Sequence, residues 1–308
     1  MPELPDIEAY LVALRERVVG RRLAAMRLRS PFLLRTVTPP AAAFTGRTLQ
    51  DVSRLGKRIV FAFGAEHFAV VHLMVAGRFQ WKPLKGDAFA AVPGRNGLAA
   101  FDFEAAGSLL LTEASKKKRA RLHLVEGATN LAEHNPGGVE ALGMTEANFI
   151  ARLRARNHTL KRALTDPRIF SGIGNAYSDE ILFDARLPPT RWTSRLSDDD
   201  LSRLYASTQR VLTEWSDRLI DEAKARWPKK VTAFRPEMNV HGRYGKPCNV
   251  CGAPIQRIRF ADNETNYCAT CQNGGKLLAD RGLSRLLKGD WPKTLEQLEQ
   301  MKEARKNG

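Results

Sequence analysis

The chain carries four cysteines, and all of them fall in one stretch: Cys248 and Cys251, then sixteen residues, then Cys268 and Cys271. Thiolates are soft ligands, and each C-x2-C knuckle lets two sulfurs converge on one tetrahedral metal. The spacing is that of a zinc ribbon. Gly252 follows the first pair, where a tight knuckle needs a small residue. Disulfides are the competing reading, and a cytosolic chain disfavours them. No histidine sits beside a cysteine to share the site. The expected cofactor is therefore a single structural Zn2+, Cys-liganded at all four positions and closed to catalysis.

Between the pairs lies APIQRIRFADNETNY. Arg257, Arg259 and the aromatics fit a β-hairpin presented to DNA, its tip made rigid by the metal. A solvated basic hairpin is the plainer alternative.

Charge points to the same class of partner. The 308 residues hold 49 Lys+Arg against 33 Asp+Glu, a net charge of +16. Such an excess favours a polyanion, with affinity carried by phosphates and sensitive to salt. Hydrophobic residues make up 43%, enough to build cores. No window approaches ~18 consecutive apolar residues, so no transmembrane helix is expected. The opening MPELPDIEAY has acids where a secretory signal is basic and then apolar. The chain reads as cytoplasmic, nucleoid-associated and monomeric, with no membrane partner.

Residues 1–20 read as a helix, with Leu11, Leu14 and Val18 at helical spacing and Gly20 as its stop. From 21 to about 127 the texture is short apolar runs separated by glycine or polar turns: LGKRIVFAF, HFAVVHLMVAG, GLAAFDFE, SLLLTE and RLHLVEG. That pattern predicts a β-sandwich or barrel. TNLAEHNPGGVEALGM then reads as a linker, followed by helical patterns at TEANFIARLRARN, TLKRAL, NAYSDEILFDARL and 196–226. Residues 227–247 read as loop, and the tail holds one predicted helix, TLEQLEQMKEARK.

FSGIGNAYSDEILF contains a glycine turn feeding a helix that begins near Asn175. First-turn N–H groups and the helix dipole suit a phosphate, and Lys161 and Arg162 just upstream can join them. Asp179 and Glu180 restrict the predicted contact to the helix N-terminus. Pro188 and Pro189 are its expected stop.

At the other end, Pro2 becomes a free secondary amine once methionine is removed. An α-amino group has a pKa of about 8 against about 10.4 for lysine, so a useful fraction is neutral at pH 7. Attack by a secondary amine on a sugar C1′ gives a cationic iminium, an electron sink for elimination. Glu3 beside it can move a proton. By itself Pro-Glu is an ordinary helix start, with proline and acids in the first turn. Lys57, in RLGKRIV, sits at a predicted turn-to-strand junction where an exposed lysine is commonplace.

Four blocks in order, PELPDIE, LGKR near 57, GIGNAYSDEILF and VHGRYGKPCNVCG…YCATCQ, resemble the formamidopyrimidine-DNA glycosylase and endonuclease VIII family. The first block is closer to the formamidopyrimidine branch. The resemblance implies an α+β multidomain fold: an N-terminal helix plus catalytic β-sandwich (1–130), a helix–two-turns–helix DNA-binding domain with linker (131–240), a zinc ribbon (241–275) and a basic tail (276–308). It implies damaged double-stranded DNA as partner, bound in the cleft between domains with the nucleotide flipped out. It implies base excision with abasic-site lyase activity. By similarity Pro2 attacks C1′, Glu3 assists sugar opening, Lys57 contacts a phosphate near the lesion, and Asn175 holds phosphate. Base loss is followed by β- and δ-elimination.

The chain also departs from the family. An arginine often stands five residues before the third cysteine; here it is Asn263, with Arg257 or Arg259 as a substitute. The D-P-R-R-F-like segment that fills the void left by the base corresponds to TEASKKKRARL, which has no aromatic. Its run Lys116, Lys117, Lys118, Arg119 and Arg121 fits either backbone contact or a solvated loop. HLMVAG replaces the usual wedge, giving Met74 and Val75, and Asp6 stands where glutamate is usual. These departures leave base specificity open. They also define an alternative, a catalytically impaired binder of damaged or distorted DNA. A zinc-ribbon RNA protein is a third class that leaves GIGNAYSDEIL unexplained.

Overall fold

The computed structural model describes residues 1–229, 231, 234–260 and 263–306, apart from the side chains of 281–283, 288, 305 and 306. Positions 230, 232 and 233 of the expected loop, the hairpin positions 261–262 and the last two tail residues lie outside the described residues. The chain divides into two compact units: Met1–Gly138 with Glu214–Thr232, and Val139–Thr213 with Ala233–Gly308.

The first unit begins with helix α1 (Leu4–Val18). Its strands are β1 (Leu23–Leu28), β2 (Asp51–Leu55), β3 (Arg58–Phe63), β4 (His67–His72), β5 (Gly77–Pro83), β6 (Gly97–Phe103), β7 (Gly107–Glu113) and β8 (Arg121–Glu126), followed by the short helix α2 (Ala128–Ala132). They form two four-stranded antiparallel sheets, ordered β1-β6-β7-β5 and β2-β3-β4-β8. The predicted β-sandwich is thus present. Inward residues of both sheets and one face of α1 share a core: Ile7, Tyr10, Leu14, Phe61, Phe79, Phe101 and Leu122 among them. Phe61 stacks on Phe101 at 5.8 Å and meets Phe79 edge-on at 5.8 Å. Each fully buried aromatic of this kind contributes roughly 1.5–3 kcal/mol. β6 and β7 are buried along both faces, and on the side away from the aromatics the Asp102 carboxylate is paired by Arg27 at 2.6 Å and by the Ser108 hydroxyl at 2.6 Å. A buried carboxylate is tolerated there because both oxygens are satisfied.

LGKRIVFAF, expected as one run, is interrupted. Leu55 pairs with Arg58, and Gly56–Lys57 is the two-residue turn of a β-hairpin. β1, β2 and β5 went unforeseen; DVSRL and GRFQWKP carry few apolar residues, and LAAMRL shows no alternation.

The second unit contains β9 (Val139–Glu140), α3 (Glu146–Arg154), α4 (Leu160–Thr165), β10 (Phe170–Ser171) and α5 (Asn175–Asp184). Helix α6 (Asp198–Ala225) starts in this unit and ends in the first, where Leu219 and Ala223 pack on Ala9 and Ala13 of α1. The ribbon supplies β11 (Gln256–Phe260), β12 (Asn263–Tyr267) and α7 (Ala269–Asn273). The tail forms α8 (Arg281–Leu287) and α9 (Leu295–Lys306), so the single expected tail helix is one of two. α5 ends before the two prolines: Ala185 caps it, and Arg186 turns the chain out with φ 54. No helix among the described residues is long and apolar enough to cross a membrane.

Candidate active site and nucleic-acid contacts

In the first unit the candidate chemistry gathers at the start of α1. Pro2, Glu3 and Asp6 are all buried. Glu3 is the N-cap: its carboxylate accepts the Asp6 N–H, and its own N–H donates to Asp6 Oδ2 at 3.0 Å. This capping box fixes the exit direction of the preceding residues. Proline at the helix start costs nothing because its missing N–H is one the helix does not use.

The amino terminus, here that of Met1, is half-buried. Burial pushes its pKa below the ordinary α-amino value; Arg78 and Lys57 push the same way, and Glu3 and Asp6 oppose them. A neutral, nucleophilic amine is thereby favoured.

Lys57 reaches this neighbourhood from the β2–β3 turn. The turn is tied to α1 by Arg54, which donates to Glu8 Oε1 at 2.7 Å and to the Gly56 carbonyl at 3.1 Å. Arg78 follows a tight loop at 73–77, and its guanidinium donates to the carbonyls of Val75 (3.1 Å) and Gly77 (2.6 Å). Tyr10 lies under the loop, its hydroxyl accepting the Phe79 N–H at 3.2 Å. The structure therefore brings Pro2, Glu3 and Lys57 into one electrostatic neighbourhood. Asp6, which stands where the family usually has glutamate, belongs to it as well, and so does Arg78, which its position in the chain did not announce.

His72 faces Arg58 on one neighbouring strand and Arg121 on the other. Burial, with Arg58, Lys57 and Arg121 adding, pushes its pKa down to about 4, and its Nδ1 accepts the Met74 N–H at 3.0 Å. The unfolded chain has an ordinary His pKa of about 6.5, so it takes up the proton first as pH falls. Stability present at pH 7 is then lost between about 6.5 and 4, by up to about 3 kcal/mol from this residue. We expect thermal melts to fall across that window and His72→Gln to flatten the fall. An unchanged acid slope in His72→Gln would contradict the assignment.

The basic run lies on the β7–β8 loop. Buried Glu113 holds both ends of the turn, its Oε2 accepting the N–H groups of Arg119 (2.9 Å) and Ala120 (3.0 Å). Lys118 donates to the Glu113 carbonyl, while Lys116, Lys117 and Arg119 are exposed.

In the second unit, Gly172 takes φ 86 and turns the chain into α5, whose N-cap Gly174 offers no side chain. Two acids of this helix are not on its surface. Asp179 and Glu180 are both 1% exposed. Glu180 accepts the backbone N–H groups of Asn239 (2.7 Å), Val240 (2.9 Å) and His241 (2.9 Å). Asp179 accepts from Lys161 (2.5 Å) and the Asn266 N–H (3.1 Å) and bonds His241 Nδ1 at 2.7 Å. The two carboxylates thus fasten the VHGRYG loop and β12 to α5.

Lys161, expected at a phosphate, spends its ammonium on Asp179 and on the Asn175 carbonyl at 2.6 Å. It secures the turn from inside. Asn175 sits at the helix start as expected, and its side-chain amide donates to the Glu264 carbonyl of β12 at 2.9 Å.

The ribbon is an antiparallel hairpin with Arg257 opposite Asn266 and Arg259 opposite Glu264. Arg257 lies over the Tyr244 ring at 4.0 Å and 3.4 Å from Glu264; the Arg259 side chain and Asn263 are exposed. The four cysteine sulfurs all lie within 4.8 Å of one another, with Cys248–Cys271 at 3.9 Å and Cys251–Cys268 at 3.4 Å. Those separations are too long for disulfides and suit a tetrahedron with metal–sulfur bonds of ~2.3 Å. The N–H groups of Val250 and Cys271 point at sulfurs Cys248 and Cys268, as a thiolate set requires. Gly252, with φ +76, makes the knuckle possible.

Residues 1–136 match the formamidopyrimidine-DNA glycosylase N-terminal domain, 138–217 its H2TH domain, and 245–274 the zinc finger found in FPG and IleRS. A formamidopyrimidine-DNA glycosylase of Thermus thermophilus is 31% identical over 89% of this chain and 100% of its own length. That of Corynebacterium jeikeium is 31% identical over 88% and 100%. Among solved structures, Lactococcus lactis Fpg in complex with FAPY-dG-containing DNA has a TM-score of 0.75 at 25% identity, covering 88% of this chain and 100% of that one.

Proposed function

The chain belongs to the formamidopyrimidine-DNA glycosylase family, DNA glycosylases of base-excision repair, and on that premise we propose that it excises oxidised or ring-opened bases and then cleaves the abasic strand from Pro2. The observation that carries the reading is the chain's amino end. Pro2 is buried, the Glu3–Asp6 capping box fixes the residues that lead into the helix, and the Met1 amine next to it lies in the field of Glu3 and Lys57. After methionine removal the amine is that of buried Pro2.

Its lone pair forms the N–C1′ bond as the glycosidic C1′–N bond breaks, and the base leaves with the electron pair and takes up a proton. Glu3 moves a proton at O4′ as the sugar opens, giving the iminium. Loss of the C2′ proton expels the 3′-phosphate, and a second elimination expels the 5′-phosphate. Lys57, Asn175, Arg257 and Arg259 hold phosphates, consistent with a net charge of +16. A single structural Zn2+ on Cys248, Cys251, Cys268 and Cys271 orients the hairpin and takes no part in the chemistry.

The test is borohydride reduction of the processed protein on an abasic-site duplex. A covalent adduct on the N-terminal peptide is expected. Its absence, with Pro2 confirmed as the first residue, would favour the second reading, a binder without chemistry. That reading rests on the exposed Asn263 and on the aromatic-free 114–119 loop.

A further inference from the structure

The zinc-finger match ends at residue 274, and the described chain continues to Lys306. That continuation folds back on the hairpin. Leu277, Leu278 and Leu295 pack against Ile258, Tyr267 and Ala269, each at most 1% exposed. The Leu278 N–H donates to the Tyr267 hydroxyl at 2.8 Å. The segment is closed on itself by the Leu277 N–H to the Lys293 carbonyl at 2.8 Å and by a bridge between Lys276 and Thr294.

One contact falls close to the hairpin tip. Asp280, 6% exposed, accepts the backbone N–H of Arg259 at 2.9 Å. Alternate residues of a strand face opposite ways. Ile258 therefore turns toward the extension, and Arg257 and Arg259 turn away from it. The backbone N–H of Arg259 points outward from β11, where it lacks a β12 partner and needs another acceptor. On the other strand, the Asn266 N–H is held by Asp179 and the Glu264 carbonyl by Asn175. The hairpin is thus fastened along both strands, and the fastening of β11 near its tip comes from beyond the zinc finger.

We propose that the C-terminal extension is a brace, and that Asp280 is a positioning residue that sets the direction from which Arg259 reaches a DNA phosphate. The inference rests on the reading that Arg259 contacts DNA.

The test uses full-length, zinc-loaded protein and a duplex carrying a reduced abasic-site analogue, with affinity measured across a salt series. Arg259→Ala lowers the slope of log affinity against log salt by about 1. Asp280→Ala lowers the slope comparably and weakens binding about 10-fold, whereas Asp280→Asn, which keeps an acceptor oxygen, restores both. The double variant Asp280→Ala/Arg259→Ala binds no more weakly than Arg259→Ala alone. An unchanged slope in either single alanine variant, or additive losses in the double, overturns the brace. If Asp280→Ala loses zinc or its cooperative melt, Tyr267→Phe decides: it removes only the hydroxyl that receives Leu278, and an unchanged slope there overturns the proposal. Borohydride trapping at saturating protein keeps the two readings apart. No adduct in the wild type sinks the glycosylase–lyase reading whatever the slopes do.

Discussion

A preparation that retains Met1 yields at least about 100-fold less borohydride adduct than the processed protein, and Pro2→Gly falls by a similar factor. With methionine in place the Pro2 nitrogen is an amide whose lone pair is delocalised into the carbonyl, so it cannot attack. The Met1 amine remains, one residue farther from the position that the Glu3–Asp6 capping box fixes. Glycine at position 2 keeps an amine but loses the ring that limits its rotation, and small misplacements of a reacting atom cost about two orders of magnitude. Mass spectrometry of the first peptide sorts the preparations, and adduct per processed chain is the quantity to compare. Equal adduct from the Met1-bearing protein would move the chemistry to another amine, with Lys57 first in line.

The second large effect is expected from metal removal. Chelation releases one zinc per chain and collapses DNA affinity by at least about 100-fold, while the first unit keeps its melt. Around the cysteines the apolar packing is slight: Val240, Cys248, Ile255 and Cys268, with Phe183 of α5. A unit of this size rarely stands on apolar burial alone. Structural zinc contributes on the order of 10–16 kcal/mol in isolated zinc-finger peptides. Without it four thiols within 4.8 Å have no common partner, and β11 and β12 lose the anchor at their base. Arg257 and Arg259 then have no fixed direction. Metal analysis, far-UV circular dichroism and a binding titration on the same sample check this. Undiminished binding by metal-free protein would mean that the hairpin holds its shape through α5 and the tail alone.

Much of this protein was legible because its strongest constraints are local. Two C-x2-C pairs sixteen residues apart determine a metal knuckle, since each pair closes over a few bonds of chain. Short apolar runs set off by glycine or polar turns identify the sandwich strands β3, β4, β6, β7 and β8, and the long helical pattern identifies α6 almost to its ends. Pro2–Glu3 reads as a helix start from the same local rules, and Glu3 is indeed the N-cap.

The rest depended on partners far away in the chain. In NAYSDEIL, Asp179 and Glu180 read only as charges that keep DNA to the helix N-terminus; folding buries them because Lys161, His241 and the backbone of 239–241 arrive from elsewhere to satisfy their oxygens. That same pairing turns Lys161 from a phosphate candidate into an internal tie. Asp280 reads as one polar residue in a tail, and only the return of the chain onto β11 gives it the Arg259 N–H. A charged group's role is set by what neutralises it, and a partner tens of residues away leaves no periodic or spacing signal. The sequence by itself therefore determined the elements and the metal knuckle, where the physics is short-range along the chain. Only the tertiary structure decided which charges are spent inside the protein, because burial and pairing exist only once distant segments have met.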